Sequence, residues 1–292
     1  MSKDHIRELV VLSGKGGTGK TSVTASFALL ANKAVLADCD VDAADLHLLL
    51  TPMVEQRHAF MSGHEAVIRQ QDCTGCGVCR DSCRFDAIRK EASSFRIDPV
   101  ACEGCGVCYR ICPDKAIDFL ERVCGEWMVS ATRCGPMVHA QLGVAAENSG
   151  KLVTTVREQA WAVAVDKRIP LIISDGPPGI GCPVIASLSG VSLALVVTEP
   201  TVSGLHDLQR VLALARHFSV PTAVCVNKWD INPQQTERIE AAARSAGAEV
   251  TGRIRYDRLV TQAQLQKKAV VELDSAAGDD IRQVWKQVSR QL

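Results

Sequence analysis

Gly14-Lys15-Gly16-Gly17-Thr18-Gly19-Lys20-Thr21 lies between an apolar run at residues 6–12 and a stretch of helical spacing at residues 21–31. A glycine-rich turn that leads from a strand into a helix directs backbone N–H groups and the helix N-terminus at phosphate. Lys20 is placed to reach the β- and γ-phosphates, and the hydroxyl of Thr21 is placed to bind Mg²⁺. The stretch therefore predicts a phosphate-binding loop, with backbone contacts from Gly14, Lys15, Gly16, Gly17, Thr18 and Gly19.

Strand-like and helix-like segments alternate on both sides of a central, cysteine-rich region. Apolar runs predict further strands, and segments with a 3.6-residue periodicity predict helices. The predicted strands are residues 34–38, 170–175, 193–198 and 222–227, and the predicted helices are residues 43–50, 149–167, 204–218 and 233–246. This alternation predicts an α/β fold with a doubly wound, mainly parallel sheet and ligands at the carboxyl ends of its strands.

The cysteine-rich region contains two runs of four cysteines, each with the spacing C-x2-C-x2-C-x3-C. This is the ligand run of ferredoxins with two [4Fe-4S] clusters, in which the fourth cysteine of each run serves the other cluster. One cluster is therefore expected on Cys73, Cys76, Cys79 and Cys112, and the other on Cys102, Cys105, Cys108 and Cys83. A zinc ribbon needs only C-x2-C pairs, so two complete runs favour iron–sulfur clusters over zinc.

The two cysteine runs repeat at an interval of roughly thirty residues, and each leads into an Ala-Ile pair. A strand-like piece at residues 95–98 separates them. The repeat predicts the pseudo-two-fold symmetry of a bacterial ferredoxin-like α+β domain inserted into the α/β domain. The expected boundaries are residues 60–121 for the insert, and residues 1–59 and 122–292 for the discontinuous P-loop domain.

Lys15 is an additional lysine inside the phosphate-binding loop, and Asp175-Gly176-Pro177-Pro178-Gly179 follows a later predicted strand. With these features the chain resembles the MinD/ParA/Mrp superfamily of deviant Walker A P-loop ATPases, to which the nitrogenase iron protein is related. Together with the insert, it resembles the members described as containing an inserted ferredoxin domain. The resemblance extends to Thr198-Glu199-Pro200-Thr201, to which it assigns no role. It implies a homodimer closed on two ATP molecules. Lys15 would reach the nucleotide across the dimer interface.

Three carboxylates at predicted strand ends receive roles from the same resemblance. Asp40 matches the residue that orients the attacking water, and Asp38 matches the residue that supports it beside the Mg²⁺-bound waters. Asp175 matches the Walker B aspartate, which holds Mg²⁺ through water. Lys15 and Lys20 would stabilise charge on the transferred phosphoryl group. ATP, Mg²⁺ and two [4Fe-4S] clusters are therefore the expected cofactors.

Asn227-Lys228-Trp229-Asp230 allows two interpretations of the base specificity. N-K-x-D reads guanine in GTPases, whereas an asparagine at the same strand end contacts adenine in the MinD group. The deviant loop favours ATP, and Asn227 is the expected base contact with either nucleotide.

Cys182 follows Asp175 by seven residues. The nitrogenase iron protein has a ligand of its shared [4Fe-4S] cluster in a similar position, so Cys182 is a candidate additional metal ligand at a dimer axis. Such a site needs a second cysteine from each chain, for which Cys134 is the best candidate. The other cysteines, Cys39, Cys124 and Cys225, have no ligand spacing.

Composition and charge argue against several classes of partner. The 292 residues carry 33 basic and 33 acidic side chains and 4% aromatic residues, so nothing favours a nucleic-acid partner. No apolar run reaches the length of a membrane span, and residues 1–12 do not resemble a secretory signal. Thirteen cysteines without an export signal indicate metal ligation in a reducing cytoplasm.

These features predict an ATP-hydrolysing, dimeric iron–sulfur protein that acts on a protein partner carrying a redox centre or metallocofactor. Two hypotheses stay open: the nucleotide state controls electron transfer from the clusters, or it drives metal or iron–sulfur cluster assembly on the partner. A third alternative is a positioning ATPase of the ParA or MinD kind with redox-sensing clusters. Because the insert begins shortly after Asp38 and Asp40, we expect the ATPase to control the orientation or exposure of the ferredoxin-like domain.

Overall fold

Two units are distinguished in the computed structural model, which describes residues 5–143 and 148–292. The first unit comprises Met1–His58, Trp127–Leu142 and Asn148–Leu292, and the second comprises Ala59–Glu126 and Gly143–Glu147. The residues expected as the insert, 60–121, belong to the second unit. Residues 1–4, the beginning of the segment compared with a secretory signal, lie outside the described residues.

The strands formed by the described residues are β1 (Arg7–Ser13), β2 (Val35–Asp38), β3 (Met53–Ile68), β4 (Ile88–Glu91), β5 (Ser94–Ile97), β6 (Ile117–Thr132), β7 (Gly135–Leu142), β8 (Leu171–Pro178), β9 (Leu193–Thr198), β10 (Thr222–Asn227) and β11 (Glu249–Ile254). The α-helices are α1 (Lys20–Leu30), α2 (Leu46–Leu50), α3 (Val78–Asp81), α4 (Val107–Ile111), α5 (Ser149–Asp166), α6 (Cys182–Leu188), α7 (Val202–His217), α8 (Pro233–Ser245), α9 (Leu259–Leu265) and α10 (Ala276–Val288). None of the helices within residues 5–143 and 148–292 has the length and apolarity that crossing a bilayer requires.

The predicted strands and helices of the first unit are present, with two corrections. Helix α2 begins at Leu46, three residues later than residue 43, where the pattern placed it. Strand β8 continues to Pro178, three residues beyond residue 175, so Asp175 lies within the strand and not at its end. Among the strands, β3, β4, β6, β7 and β11 were not predicted. In β3 the first seven residues are all exposed, so no apolar run or alternation marks the strand.

The main sheet has the strand order β11-β10-β9-β1-β8-β2-β7-β6-β3 among the described residues. Every pair from β11 to β7 is parallel, as the alternation of strands and helices predicts. The connection from β1 leads to β2, on one side of β1, and the connection from β8 leads to β9, on its other side. The carboxyl end of β1 is therefore a topological switch point, where α/β sheets bind their ligands.

Helices cover both faces of the sheet around β1. Leu9 and Val11 point into a core that includes Phe27 of α1 and Ile281 of α10. Val10 and Leu12 point into a second core with side chains of α6, α7 and α8. Strands buried on both faces have continuous apolar sequences, which explains why the central strands are visible in the sequence. Helix α10 packs on this unit through one face, on which Ile281, Val284 and Val288 are buried.

The second unit has a small core of its own. Strands β4 and β5 form an antiparallel pair, and helices α3 and α4 each begin after a left-handed glycine, Gly77 and Gly106, with φ angles of 84° and 73°. The apolar side chains of this core pack against cysteines of both runs. The buried core residues are Ala66, Ile68, Cys79, Ile88, Phe95, Ile97 and Ile117.

A buried carboxylate ties β1 to α5 in the first unit. Glu8 has no exposed side-chain surface and accepts two hydrogen bonds from Arg157, at 2.9 Å from Nε and 2.7 Å from Nη2. Trp161 Nε1 and Ser174 Oγ each donate a further hydrogen bond to Glu8, at 2.8 Å. Four donors satisfy the carboxylate, so the pair is stable only while all its partners remain in place.

We expect the substitution Arg157→Leu to lower the free energy of unfolding by about 3–5 kcal/mol, because it leaves Glu8 charged, buried and without its cation. Urea denaturation followed by circular dichroism measures the change. The matched control is Arg244→Leu, which removes an arginine with 61% exposure from an ion pair with Glu240. That control should cost no more than about 1 kcal/mol. Equal losses for the two variants would contradict the assignment of Glu8 as a buried charge dependent on Arg157.

Candidate functional site

The phosphate-binding loop begins after Ser13 of β1 and ends at Lys20, the first residue of α1. Gly17 and Gly19 have φ angles of 80° and 88°, in the left-handed region that glycine adopts without strain. A Cβ atom on Gly19 would lie 2.4 Å from Nδ2 of Asn227 in β10. Glycine is therefore required at Gly19 both for the backbone conformation and for the close approach to Asn227.

The other two glycines of the loop have different surroundings. A Cβ atom on Gly14 would lie 2.4 Å from Cβ of Asp207 in α7, whereas a Cβ atom on Gly16 would meet nothing within 4 Å. Gly14 is thus required for packing of the loop against α7. The backbone at Gly16 borders open space, from which a ligand can approach it.

Thr18 has a buried side chain, and its Oγ1 has no hydrogen-bond partner in the described part of the chain. Its backbone carbonyl accepts a hydrogen bond of 2.8 Å from Asn227 Nδ2. An unsatisfied buried hydroxyl costs about 1–3 kcal/mol and is rare unless a ligand supplies the partner. Helix α1 also begins without a side-chain cap, which leaves its first N–H groups available to an anion. These groups together fit a bound phosphate chain.

Lys20 is buried between the carboxylates of Asp175, which lies in β8, and Asp40, which follows β2. Its Nζ lies 3.3 Å from Asp40 Oδ2 and 3.2 Å from Asp175 Oδ1. Asp175 also accepts hydrogen bonds from the hydroxyls of Thr21, at 2.7 Å, and Thr24, at 2.9 Å. The expected lysine, threonine and two of the expected aspartates are therefore adjacent. Thr24 was not identified from the sequence, although its place one helical turn after Lys20 is a signal that could have found it.

Asp38 is fully buried and holds the segment that follows β2. Its Oδ1 accepts from the backbone N–H of Asp40, at 3.3 Å, and its Oδ2 accepts from the backbone N–H of Leu46, at 3.2 Å. The side chain therefore links the loop containing Asp40 to the beginning of α2.

The three carboxylates shift the protonation equilibria of the cluster. Burial, followed by the neighbouring charge of Asp175, raises the pKa of Asp38 well above its usual value. Burial also raises the pKa of Asp40, even though the Lys20 ammonium opposes the shift. Burial alone would lower the pKa of Lys20, but attraction to Asp175, Asp40 and Asp38 outweighs it and raises the pKa. Burial and mutual repulsion thus disfavour ionisation of Asp38 and Asp40, and a divalent cation bound beside these carboxyl groups would favour it.

Lys15 pairs with a glutamate of its own chain. Its Nζ lies 3.3 Å from Glu199 Oε2, and 34% of the Lys15 side chain is exposed. The other oxygen of Glu199 lies 2.5 Å from Nζ of Lys228. Sequence reasoning assigned no role to Glu199, because nothing in its neighbourhood along the chain indicates two lysine partners.

Asn227 and Asp230 use their side chains differently. Asn227 bonds to the phosphate-binding loop through Nδ2 and accepts from the backbone N–H of Lys228 through Oδ1, at 3.0 Å. Asp230 Oδ1 accepts from the backbone N–H of Tyr256, at 2.7 Å, so this oxygen anchors the segment that follows β11.

Two cavities of the second unit are lined by cysteines in crossed sets. The first contains three cysteines of the first run and the fourth cysteine of the second run, namely Cys73, Cys76, Cys79 and Cys112. The second contains three cysteines of the second run and the fourth of the first run, namely Cys102, Cys105, Cys108 and Cys83. Apolar side chains line both cavities, among them Ile68 and Phe95 in the first and Ile88 and Ile97 in the second.

The cysteine loops depend on glycine. Gly75 and Gly104 have φ angles of 72° and 61°. A Cβ atom would lie 2.3 Å from the carbonyl oxygen of Ser93 in the first case and 2.2 Å from that of His64 in the second. The backbone between the first two cysteines of each run is therefore packed tightly against a neighbouring carbonyl.

Burial acts on the thiols of both sets. It raises the pKa of Cys79 and raises the pKa of Cys108 to about 11, and neighbouring cysteines of the same set add to each shift. Bound iron would reverse this preference, because it takes thiolates as ligands. Within residues 5–143 and 148–292, no three histidine, cysteine, aspartate or glutamate side chains converge as they do around a single metal ion. The fit to four-iron clusters therefore rests on the four-thiol donor sets and on their apolar surroundings.

Cys182 and Cys134 lie at opposite ends of the sheet. Cys182 is exposed at the beginning of α6, after the carboxyl end of β8. Cys134 is buried and directly precedes β7. Because β7 and β8 both run parallel to β2, the beginning of β7 and the end of β8 lie at opposite ends of the strands. The structure thus does not bring this pair together within one chain. Among the other cysteines, Cys39 and Cys225 are fully buried in the first unit.

Several proteins of Methanocaldococcus jannaschii are similar in sequence to this chain. The uncharacterized protein MJ0578 is 35% identical over 230 residues, which cover 78% of this chain and 80% of that protein. An iron–sulfur cluster carrier protein is 20% identical over 298 aligned residues, which cover 96% of this chain and 83% of that protein. The second relationship is distant.

Solved structures share the fold at low sequence identity. The septum site-determining protein MinD of Pyrococcus horikoshii, solved with Mg-ADP, is 17% identical with a TM-score of 0.59, and the match covers 98% of this chain and 96% of that chain. This likeness shows the α/β fold with its mainly parallel sheet. The sequence profile of the CobQ/CobB/MinD/ParA nucleotide binding domain matches residues 9–270. Because that match spans most of the chain and includes the phosphate-binding loop, Asp175 and Asn227, the protein belongs to the CobQ/CobB/MinD/ParA nucleotide-binding family.

Proposed function

We propose that the protein is a Mg²⁺-dependent ATPase that binds ATP as a homodimer and holds two [4Fe-4S] clusters. Its nucleotide state would be coupled to electron transfer from the clusters, or to metal or iron–sulfur cluster assembly on a partner protein. The observation that carries the proposal is the crossed lining of two cavities by cysteines in a chain that also has a phosphate-binding loop. Crossed sets of four thiols are what two-cluster ferredoxins require.

In the nucleotide site, Lys20 would bind the β- and γ-phosphates and Lys15 would add charge from the second subunit. Thr21 and Asp175 would hold Mg²⁺, and their hydrogen bond of 2.7 Å supports a common ligand. Asp40 would orient the attacking water, while Asp38 would hold the loop that carries Asp40.

The base is proposed to be adenine. Asn227 stands at the carboxyl end of β10, beside the phosphate-binding loop. Asp230 Oδ1 accepts from the backbone N–H of Tyr256, and the carboxylate keeps acceptor capacity for a further donor. The additional Lys15 of the phosphate-binding loop, rather than Asp230, is what supports ATP over GTP.

Each cluster would be held by one crossed set of cysteines and would supply one-electron transfer when bound. Two hypotheses about the partner follow. A redox partner would receive electrons in a nucleotide-dependent step, whereas a partner that lacks its metallocofactor would receive iron or a cluster. The distant similarity to an iron–sulfur cluster carrier protein supports the second hypothesis.

A nucleotide-dependent rate of cluster oxidation tests the coupling. We expect dithionite-reduced protein to react with an oxidising dye, such as indigo disulfonate, which takes up two electrons and thus one from each of two clusters, at rates that differ about tenfold between its MgATP and MgADP states, a difference of about 1.4 kcal/mol in barrier. In parallel, transfer of labelled iron to an apo-ferredoxin is measured with the same nucleotides. The variant Asp40→Asn separates ATP binding from hydrolysis, because it keeps Lys20 and the phosphate-binding loop.

Rates and iron transfer that are both independent of nucleotide would refute the coupling. The positioning alternative would then be favoured if MgATP increased retention on lipid vesicles or on DNA.

A further inference from the structure

Glu199 is shared by two lysines of the same chain. It follows Thr198, the last residue of β9, and its side chain is only 14% exposed. Lys15 Nζ lies 3.3 Å from Oε2, and Lys228 Nζ lies 2.5 Å from Oε1. One mostly buried carboxylate therefore has a cation on each oxygen.

We propose that Glu199 is a latch for Lys15: the carboxylate holds the Lys15 ammonium within its own chain until the ammonium binds a nucleotide phosphate instead. The inference deepens the proposed function and rests on it, because Lys15 is the residue expected to reach ATP in the second subunit. The latch makes the release of Lys15 a step that opposes closure of the dimer.

Release of Lys15 from Glu199 costs little free energy, because the carboxylate keeps a second cation. A mostly buried carboxylate left without a partner is strongly destabilising. When Lys15 leaves, Glu199 keeps Lys228, which is the closer of the two cations. Lys228 is itself anchored, since its Nζ lies 3.5 Å from the carbonyl oxygen of Gly17 and its backbone N–H donates to Asn227. Lys228 thus competes with Lys15 for one carboxylate and weakens the hold on Lys15.

The backbone around Glu199 does not depend on its carboxylate. The carbonyl oxygen of Glu199 accepts from the N–H of Thr201 at 2.8 Å. That oxygen also lies 2.3 Å from the position of a Cβ atom on Gly204, so α7 packs closely on this peptide. The substitution Glu199→Gln therefore removes the charge while the loop between β9 and α7 is retained.

Substitutions of Glu199 and of Lys228 are expected to have opposite effects on dimer formation. The measured quantity is the concentration of MgAMPPNP that gives half-maximal dimer in sedimentation velocity. Glu199→Gln should lower it about fivefold, the equivalent of one partly exposed ion pair. Lys228→Met should raise it, because Glu199 then has Lys15 as its main cation. In the double variant the effect of Lys228→Met should vanish. A rise that persists in the Glu199→Gln background would mean that Lys228 acts on the nucleotide directly, and it would overturn the competition.

A second measurement tests the contact between Lys15 and Glu199 in the absence of nucleotide. Trace acylation of the wild-type chain by acetic anhydride, read by mass spectrometry with the exposed Lys33 as internal reference, reports the availability of the Lys15 amine. We expect Lys15 to react about fivefold faster in Glu199→Gln. Equal rates would overturn the latch. If wild-type protein stays monomeric with MgAMPPNP, the proposed homodimer fails, while the acylation rates still decide the latch. If wild-type protein dimerises and Glu199→Gln leaves its half-maximal concentration unchanged, only the latch fails.

Discussion

Replacement of Lys20 by methionine is expected to lower the rate of ATP hydrolysis by at least about a hundredfold, the effect of removing one preorganised charge donor from a transition state. The Lys20 ammonium is buried at the end of the phosphate-binding loop, 3.2 Å from Asp175 and 3.3 Å from Asp40. Methionine keeps the unbranched apolar stem but has no charge to offer a phosphoryl group. Phosphate release at saturating MgATP measures the effect.

The control for this loss is Lys33→Met, which removes an exposed lysine that follows α1 and should leave the rate unchanged. Lys20→Met should also retain the visible absorption of iron–sulfur clusters, because the cysteine sets belong to the other unit. Hydrolysis by Lys20→Met within threefold of wild type would refute the nucleotide site as assigned.

The second large effect concerns the crossed cysteine sets. Each of the variants Cys79→Ala, Cys112→Ala and Cys83→Ala should lose one cluster of two, which is about half of the iron and acid-labile sulfide per chain. The double variant of Cys79 and Cys112 should lose no more than either single variant, because both line the first cavity. The double variant of Cys79 and Cys83 should lose nearly all the iron, because Cys83 lines the second cavity.

The opposite result for the double variants would contradict the crossed sets. If each run of four held its own cluster, the variant of Cys79 and Cys83 would keep half the iron and the variant of Cys79 and Cys112 would lose all of it. Cys182→Ser is the control, since Cys182 is exposed in the other unit. It should leave the iron content unchanged. Iron lost from Cys182→Ser would indicate a further cluster shared across a dimer.

The parts of the fold that were predicted correctly are those with a strong local pattern. The central strands are buried on both faces and have continuous apolar runs, so β1, β2, β8, β9 and β10 were found within a few residues of their observed bounds. Strand β3 was missed because its first seven residues are exposed and carry no alternation. Helix α2 begins later than predicted because the hydrogen bond from the Leu46 N–H to Asp38 fixes its first residue, and the sequence pattern does not reveal this contact.

The residues of the candidate site also fall into two groups, those that a local sequence pattern predicts and those that only the fold brings together. Spacing alone predicts the phosphate-binding loop and both cysteine runs, because each motif is a short stretch of chain with a characteristic pattern. The hydrogen bond between Lys20 and Asp175 joins residues 155 positions apart. The contacts of Lys15 with Glu199, and of Thr24 with Asp175, likewise depend on which strand ends the sheet brings together. A side chain far away in the chain becomes a partner only after the strand order places it there, so the chemistry of single motifs can be read locally, while the pairing of charges between motifs is decided by folding.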